Sequence, residues 1–323
     1  MNIIVMTLYL KRGNGHSELH YQVASLPCPL AGVKLGAEAK LKTSIKQKDM
    51  QFKNKHVKNL ARAMQHKVER MFAWTDDLKS GDGKPYLTER DGILALNFDG
   101  MSVQSEMNLD NPDELVIGYT RAMMSFLLLE PAPRHVAMIG LGGGSLAKYC
   151  YRYLPDTEIT VVEINPDVIA LRSEFAIPED GKRFRVQLGD GAEWVAATQV
   201  LPDVLIVDGF DSGGLPAPLC SQSFYDDCYD ALSDEGILVV NLWGGYPHFD
   251  DALARIHRSF SDRVAMVGTE ESVNIIVLAV KGGEFPPDHA TIRKHAARLI
   301  QSHPLNFQAK SKKLIRSLTE GVS

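Results

Sequence analysis

Apolar and polar positions alternate with two different periods along most of this chain. From Pro85 to Met107 the runs are short: Gly92 to Phe98 reads as a strand, Asp99-Gly100 as a hairpin turn and Met101 to Met107 as the returning strand. Asn108 to Asp113 is a polar turn, with Asp113 placed to cap a helix. Glu114 to Glu130 then puts Leu115, Tyr119, Ala122, Met123, Phe126 and Leu127 on one helical face before Pro131 and Pro133 stop it. A short apolar run from His135 breaks into Gly140, Gly142, Gly143 and Gly144. Ser145 to Leu154 follows at helical spacing and Glu158 to Ile164 as a buried strand. Further strands are expected at Arg183 to Leu188, Asp203 to Asp208 and Gly236 to Leu242, with helices at Asp167 to Phe175, Ala192 to Ala197, Ser221 to Leu232 and His248 to Phe260. Arg263 to Val267 and Asn274 to Val280 have no helix between them, so they should pair antiparallel. Asp288 to Leu318 is a basic helical tail.

Strands alternating with helices predict an α/β fold: a doubly wound, mostly parallel, seven-stranded sheet preceded by a small β hairpin layer. Five parallel strands, a helix and a terminal antiparallel pair is the order of a Rossmann-like class I AdoMet-dependent transferase. A dinucleotide dehydrogenase would continue with parallel βα units, so a nicotinamide oxidoreductase is a distant alternative. The predicted division is a basic, poorly ordered or helical extension over 1–75, the hairpin region over 76–112, the transferase domain over 113–283 and the helical tail over 284–323.

Charge sharpens the first boundary. Residues 1–70 hold 13 Lys and Arg against 4 Asp and Glu, within a chain of 323 residues whose net charge is −5. Little strand or helix periodicity is visible there apart from a basic helix over Asn54 to Phe72. Aromatics that would stack on bases are not interleaved with its charges, so nucleic acid is not the expected partner. The apolar start is short and its charges follow it, which fits neither a secretion signal nor a membrane span. Cys28, Cys150, Cys220 and Cys228 show no metal-type pairing and read as free thiols, so a cytoplasmic protein without a metal is expected.

The chemistry concentrates at the strand ends. A glycine turn between strand and helix lets a ligand approach the main chain near the helix's positive end, and Glu163, closing the next strand, lies where a carboxylate can accept from two ribose hydroxyls. Gly189-Asp190-Gly191 follows the third strand, and Asp190 suits an exocyclic adenine amine. Asp208 ends the fourth strand with Asp211 three residues on, and Asn241-Leu242-Trp243 ends the fifth. Together these describe a nucleoside half-site with carboxylates beside it.

From about Gly92 to Val280 the chain resembles the spermidine synthase-like family of class I AdoMet-fold transferases. The residues that carry the resemblance are FDGMSVQSE, Tyr119, IGLGGG, VVEIN, LGDGAEW, IVDGFD and FYDDCYDALSDEGILVVNL. It implies an aminopropyl transfer from decarboxylated AdoMet to a small amine, and suggests a homodimer. It assigns the nucleoside to Gly140, Gly142, Gly143, Gly144, Glu163, Asp190 and Gly191, the general base to Asp208 and orientation of the amine to Asp211. Gln104 and Tyr119 match positions bordering donor and amine, and a lid around Met101 and Val103 would exclude water.

Three departures bear on substrates. Ser145 stands where aminopropyl-transferring members carry an Asp that holds the donor's amine, which opens the site to ordinary AdoMet. Arg121 replaces an acidic residue of the preceding helix and suits an anionic acceptor. The loop after Asp208 reads Gly209-Phe210-Asp211-Ser212, keeping both carboxylates but not the family's loop. The readings left open are an aminopropyltransferase of polyamine biosynthesis, an AdoMet-dependent methyltransferase on another acceptor, and a non-catalytic nucleoside-binding protein.

Overall fold

The computed structural model describes residues 2–13, 16–27, 84–98, 103–209, 215–245, 248–269 and 272–320. The chain divides into two compact units, Met1–Ala61 and Arg62–Ser323. In the first, β1 (Asn2–Gly13) and β2 (His16–Pro27) pair antiparallel along their full length. These strands are absent from the sequence reading of this segment. They flank Asn14-Gly15, a dipeptide that favours tight hairpin turns, and the apolar start of β1 is rich in Ile, Val, Thr and Tyr. The basic helix expected over Asn54 to Phe72 lies outside the described residues.

The second unit begins with a three-stranded antiparallel meander, β3 (Tyr86–Arg90), β4 (Ile93–Asn97) and β5 (Val103–Asn108). The long helix expected before the sheet is shorter and changes type: α1 spans Gly118–Met123 and continues as a 3₁₀ turn over Met124–Leu128. Ile117, not Asp113, occupies the N-cap, because Asn111 and Asn108 draw the preceding residues into tight turns. Leu127, Leu128 and Phe126 are fully buried, so the tighter winding is held by packing.

The main sheet follows in the predicted alternation. Its strands are β6 (His135–Ile139), β7 (Glu158–Glu163), β8 (Phe184–Leu188), β9 (Val204–Val207), β10 (Ile237–Trp243), β11 (Val264–Gly268) and β12 (Asn274–Val280). The helices between them are α2 (Ser145–Tyr153), α3 (Pro166–Ala170), α4 (Gly191–Ala197), α5 (Gln222–Ala231) and α6 (Phe249–Ser259). The strand order is β11-β12-β10-β9-β6-β7-β8; β12 runs antiparallel to both its neighbours and the other pairs are parallel. This is the doubly wound seven-stranded sheet read from the sequence. Every residue of β6 and β9 is buried, as a strand covered by helices on both faces requires.

The chain leaves β6 toward β7 and β8, then returns to lay β9 on the other side of β6. That reversal opens a crevice at the carboxyl ends of β6 and β9, where open α/β sheets bind ligands. The basic tail forms α7 (His289–Leu299) and α8 (Phe307–Glu320). Ile292, Leu299, Phe307 and Leu314 join the same core as Met138 of the central strand. Ser317 Oγ accepts from the Met266 amide of the edge strand at 2.9 Å, so α8 also blunts an edge that would otherwise pair with another chain.

Gly144, the residue before α2, has φ +67°, and a Cβ there would sit 2.5 Å from Ile177 Cγ1. Both backbone strain and overpacking follow from adding a methyl group. Gly144→Ala is expected to cost about 1–3 kcal/mol, read as a lower urea midpoint; an unchanged midpoint would show that the loop relaxes freely.

Candidate functional site

Gly140 closes β6 with φ +97°, and a Cβ on it would lie 2.5 Å from the Asp208 carbonyl oxygen. Only glycine lets the ends of β6 and β9 come this close, which sets Asp208 beside the glycine turn. Gly142 has φ +52°, and a Cβ on it would lie 3.8 Å from Ser105 of β5. A Cβ at Gly143 would meet Ser105 Oγ at 2.7 Å and Phe175 at 2.9 Å. The same addition at Gly191 would meet Ile139 Cγ2 at 2.2 Å, so this glycine serves the packing of α4 on β6.

Glu163 is buried at the end of β7. Its Oε2 accepts from the Leu141 amide of the glycine turn and its Oε1 from the Asn165 amide, each at 2.8 Å. The carboxylate therefore braces the turn, and each oxygen retains a lone pair for a further donor. Asp190 caps α4 through Oδ1, which accepts from Ala192 N at 2.7 Å and Glu193 N at 3.2 Å. Its Oδ2 takes no hydrogen bond among the described residues. At these same strand ends Ile164 is 66% and Leu188 62% exposed, large apolar side chains left open to solvent. Neither was singled out from the sequence, where each reads simply as the last apolar residue of a strand.

Asp208 is the centre of a short polar chain. Tyr119 Oη donates to its Oδ2 at 3.2 Å and Asn241 Nδ2 to its Oδ1 at 2.9 Å. Asn274 Nδ2 in turn donates to Asn241 Oδ1 at 2.9 Å. Burial raises the Asp208 carboxyl above its ordinary range, and the two donated bonds pull it partway back. Burial, the Asp208 charge and the shared hydrogen bond hold the Tyr119 phenol well above its ordinary value, so it stays a donor. Sequence reasoning placed Asn241 at a strand end without a role and passed over Asn274, which lies 66 residues beyond Asp208 and reaches it only through the antiparallel pairing of β12 with β10.

The remaining residues are placed as follows. Gln104 falls between the pairs Leu96–Ser105 and Asn97–Val103, so it is the extra residue of a bulge, a device that re-aims a side chain. Ser145 opens α2, and its Oγ donates to the Glu106 carbonyl of β5 at 3.4 Å. Arg121 Nη1 donates to the carbonyls of Leu115 at 2.7 Å and Val116 at 2.6 Å, which commits that end of the guanidinium to the loop before α1. Asp211 and Met101 lie outside the described residues. Cys150, Cys220 and Cys228 are free and buried. Among the described residues there is no cluster of three or more His, Cys, Asp or Glu that could hold a metal, and no helix long and apolar enough to cross a membrane.

Sheet order, glycine turn and strand-end carboxylates together define a Rossmann-like transferase fold of the kind that takes a nucleoside-bearing donor. Residues 117–265 match the family described as the spermine/spermidine synthase domain. The polyamine aminopropyltransferase of Neisseria meningitidis serogroup A is 39% identical over 231 residues, 71% of this chain and 88% of that protein. That of Chromobacterium violaceum is 36% identical over 222 residues, 68% and 85% of the two chains. A spermidine synthase solved in complex with the transition state analogue AdoDATO superposes with a TM-score of 0.56 at 19% identity, covering 74% of this chain and 89% of its own. The chain belongs to the spermidine/spermine synthase family, as its motifs indicate.

A lysine of α2 is buried as well. Lys148 of α2 is 1% exposed; its Nζ donates to the Phe175 carbonyl at 2.7 Å and contacts Met107 Sδ at 2.9 Å. Burial lowers its pKa from 10.5 to about 8, partly offset by Asp113. Between about pH 8 and 10.5 the unfolded chain holds a proton that the folded one has released, so stability contributed here rises with pH. The unfolding free energy of the wild type is expected to gain on that of Lys148→Met across this window. A constant difference between the two would sink the assignment.

Proposed function

We propose that this protein transfers the aminopropyl group of decarboxylated AdoMet to a small amine, the reaction of polyamine biosynthesis for which its relatives are named. The observation that carries the reading is Asp208 at the switch point, a carboxylate held by two neutral donors. A sulfonium already has a good leaving group, so the protein's task is to align an amine lone pair with the carbon attacked and to take up a proton. The C–N bond forms as the C–S bond breaks, the electron pair of the latter stays on sulfur as a thioether, and the ammonium proton passes to Asp208. A carboxyl raised by burial is the better proton acceptor near neutral pH, while its charge attracts the amine.

The donor's nucleoside fits the remaining groups. Glu163 would offer a lone pair on each oxygen to ribose, Asp190 Oδ2 would accept from an exocyclic amine, and Ile164 and Leu188 would flank the ring. Gln104 and Asp211 are assigned to the border with the amine. Ser145 leaves the donor's propyl end without the family's carboxylate, and this is the position from which preference between decarboxylated AdoMet and AdoMet is set. A small-amine acceptor, no metal and a cytoplasmic setting complete the proposal.

The test is incubation of purified protein with diamines and either donor, with products read by mass spectrometry. Aminopropylated amine with release of methylthioadenosine is expected, and Asp208→Asn should lower kcat by about 10²–10⁴-fold. Methylated amine with release of S-adenosylhomocysteine would overturn the reading. Ser145→Asp should tighten selection for decarboxylated AdoMet, because the added carboxylate repels that of AdoMet.

A further inference from the structure

Asn241 is 2% exposed, so its amide must satisfy both ends within the protein. An amide presents a donor on one side and an acceptor on the other, and the two sides look alike in shape. Turned one way, Asn241 gives Asp208 a donor, which favours the ionised carboxylate. Turned the other way, it sets an oxygen against a carboxylate oxygen, which only a protonated Asp208 can accommodate. The choice lies with whatever occupies the far end of the amide. That occupant is Asn274 Nδ2, 2.9 Å from Asn241 Oδ1.

The backbone of Asn274 is held in place. It pairs with Trp243 at the start of β12, its backbone N–H donates to Ser272 Oγ at 3.3 Å, and its backbone carbonyl accepts from Thr269 Oγ1 at 3.1 Å. Thr269 Oγ1 also bonds Ser272 Oγ at 2.7 Å, closing the turn between β11 and β12 around this residue. The groups that bear on Asp208 are the Tyr119 phenol from α1, the Asn241 amide from β10, and the Ile139 carbonyl of β6, which accepts the Asp208 amide at 3.0 Å. Among the described residues, burial and the bonds from Asn241 and Tyr119 are the causes that act on this carboxyl, and no charged side chain is among them.

We propose that Asn274 is a positioning residue that acts through Asn241, locking the amide with its donor toward Asp208 so that the carboxylate is ionised and ready to accept a proton. Its side chain reaches the carboxylate only through Asn241. The proposal rests on the reading of Asp208 as the base, but its physical content concerns a titration that can be observed without turnover.

The readout is the titration midpoint of the Asp208 carboxyl by ¹³C NMR of aspartate-labelled protein, assigned with Asp208→Asn, alongside the pH profile of kcat/KM. Asn274→Ala is expected to raise the midpoint and move the acid limb of the profile upward with it, by about tenfold in proton affinity. In an Asn241→Ala background the same change should add nothing, because the link is already cut. The near-isosteric Asn274→Asp keeps the packing and removes the donor: one carboxyl of the 208 and 274 pair should then hold its proton toward neutral pH. A midpoint unmoved by Asn274→Ala, an equal shift in both backgrounds, or ordinary titration of both carboxyls in Asn274→Asp would each overturn the proposal, as would a loss of kcat uniform across pH. Wild-type protein that transfers no aminopropyl group yet shows the expected midpoints would end the functional reading and leave the relay standing.

Discussion

Everything at this site depends on how closely the ends of β6 and β9 approach. The Asp208 carbonyl stands where a side chain on Gly140 would begin, and the two strands are neighbours only because the chain reverses its winding between them. The reversal opens the crevice, and the missing Cβ brings the glycine turn and the carboxylate to its two walls. A larger residue at Gly140 would push the glycine turn and Asp208 apart.

The glycines have duties within the fold itself. Gly143, Gly144 and Gly191 are required by contacts within the protein, against Ser105 and Phe175, Ile177, and Ile139 respectively. Glu163 and Asp190 likewise have internal duties, bracing the turn and capping α4. The binding reading and the structural reading of these residues are therefore compatible. A turn held by its own hydrogen bonds reaches the ligand already organised, and little ordering remains to be done on binding.

Two buried ionisable groups are handled in opposite ways. Lys148 is shifted by burial with a carbonyl and a thioether as its partners, and its place in the fold is to tie α2 to β5 and to Phe175. Asp208 faces a phenol and an amide that favour its charge, which keeps it usable despite desolvation. Neutral donors suit the proposed role, because a permanent cation beside Asp208 would compete with an amine substrate for the same carboxylate.

The alternation of periods along the chain was enough to settle the sheet, its parallel core and its antiparallel end, since a strand buried on both faces and a helix with one apolar stripe differ in spacing whatever surrounds them. The glycine turn, Glu163, Asp190 and Asp208 were legible for the same reason: each sits at a strand end fixed by that alternation. What the alternation does not carry is any contact made across the sheet. The 3₁₀ winding after α1 and the docking of α7 and α8 follow from packing against residues distant in sequence. The hairpin of β1 and β2 carried a turn signal that its continuous apolar start obscured. The line from Asn274 through Asn241 to Asp208 exists only because β12 runs antiparallel to β10 in one register. A shift of one residue would turn the Asn274 side chain to the opposite face of the sheet, so tertiary structure alone decided which amide meets the carboxylate.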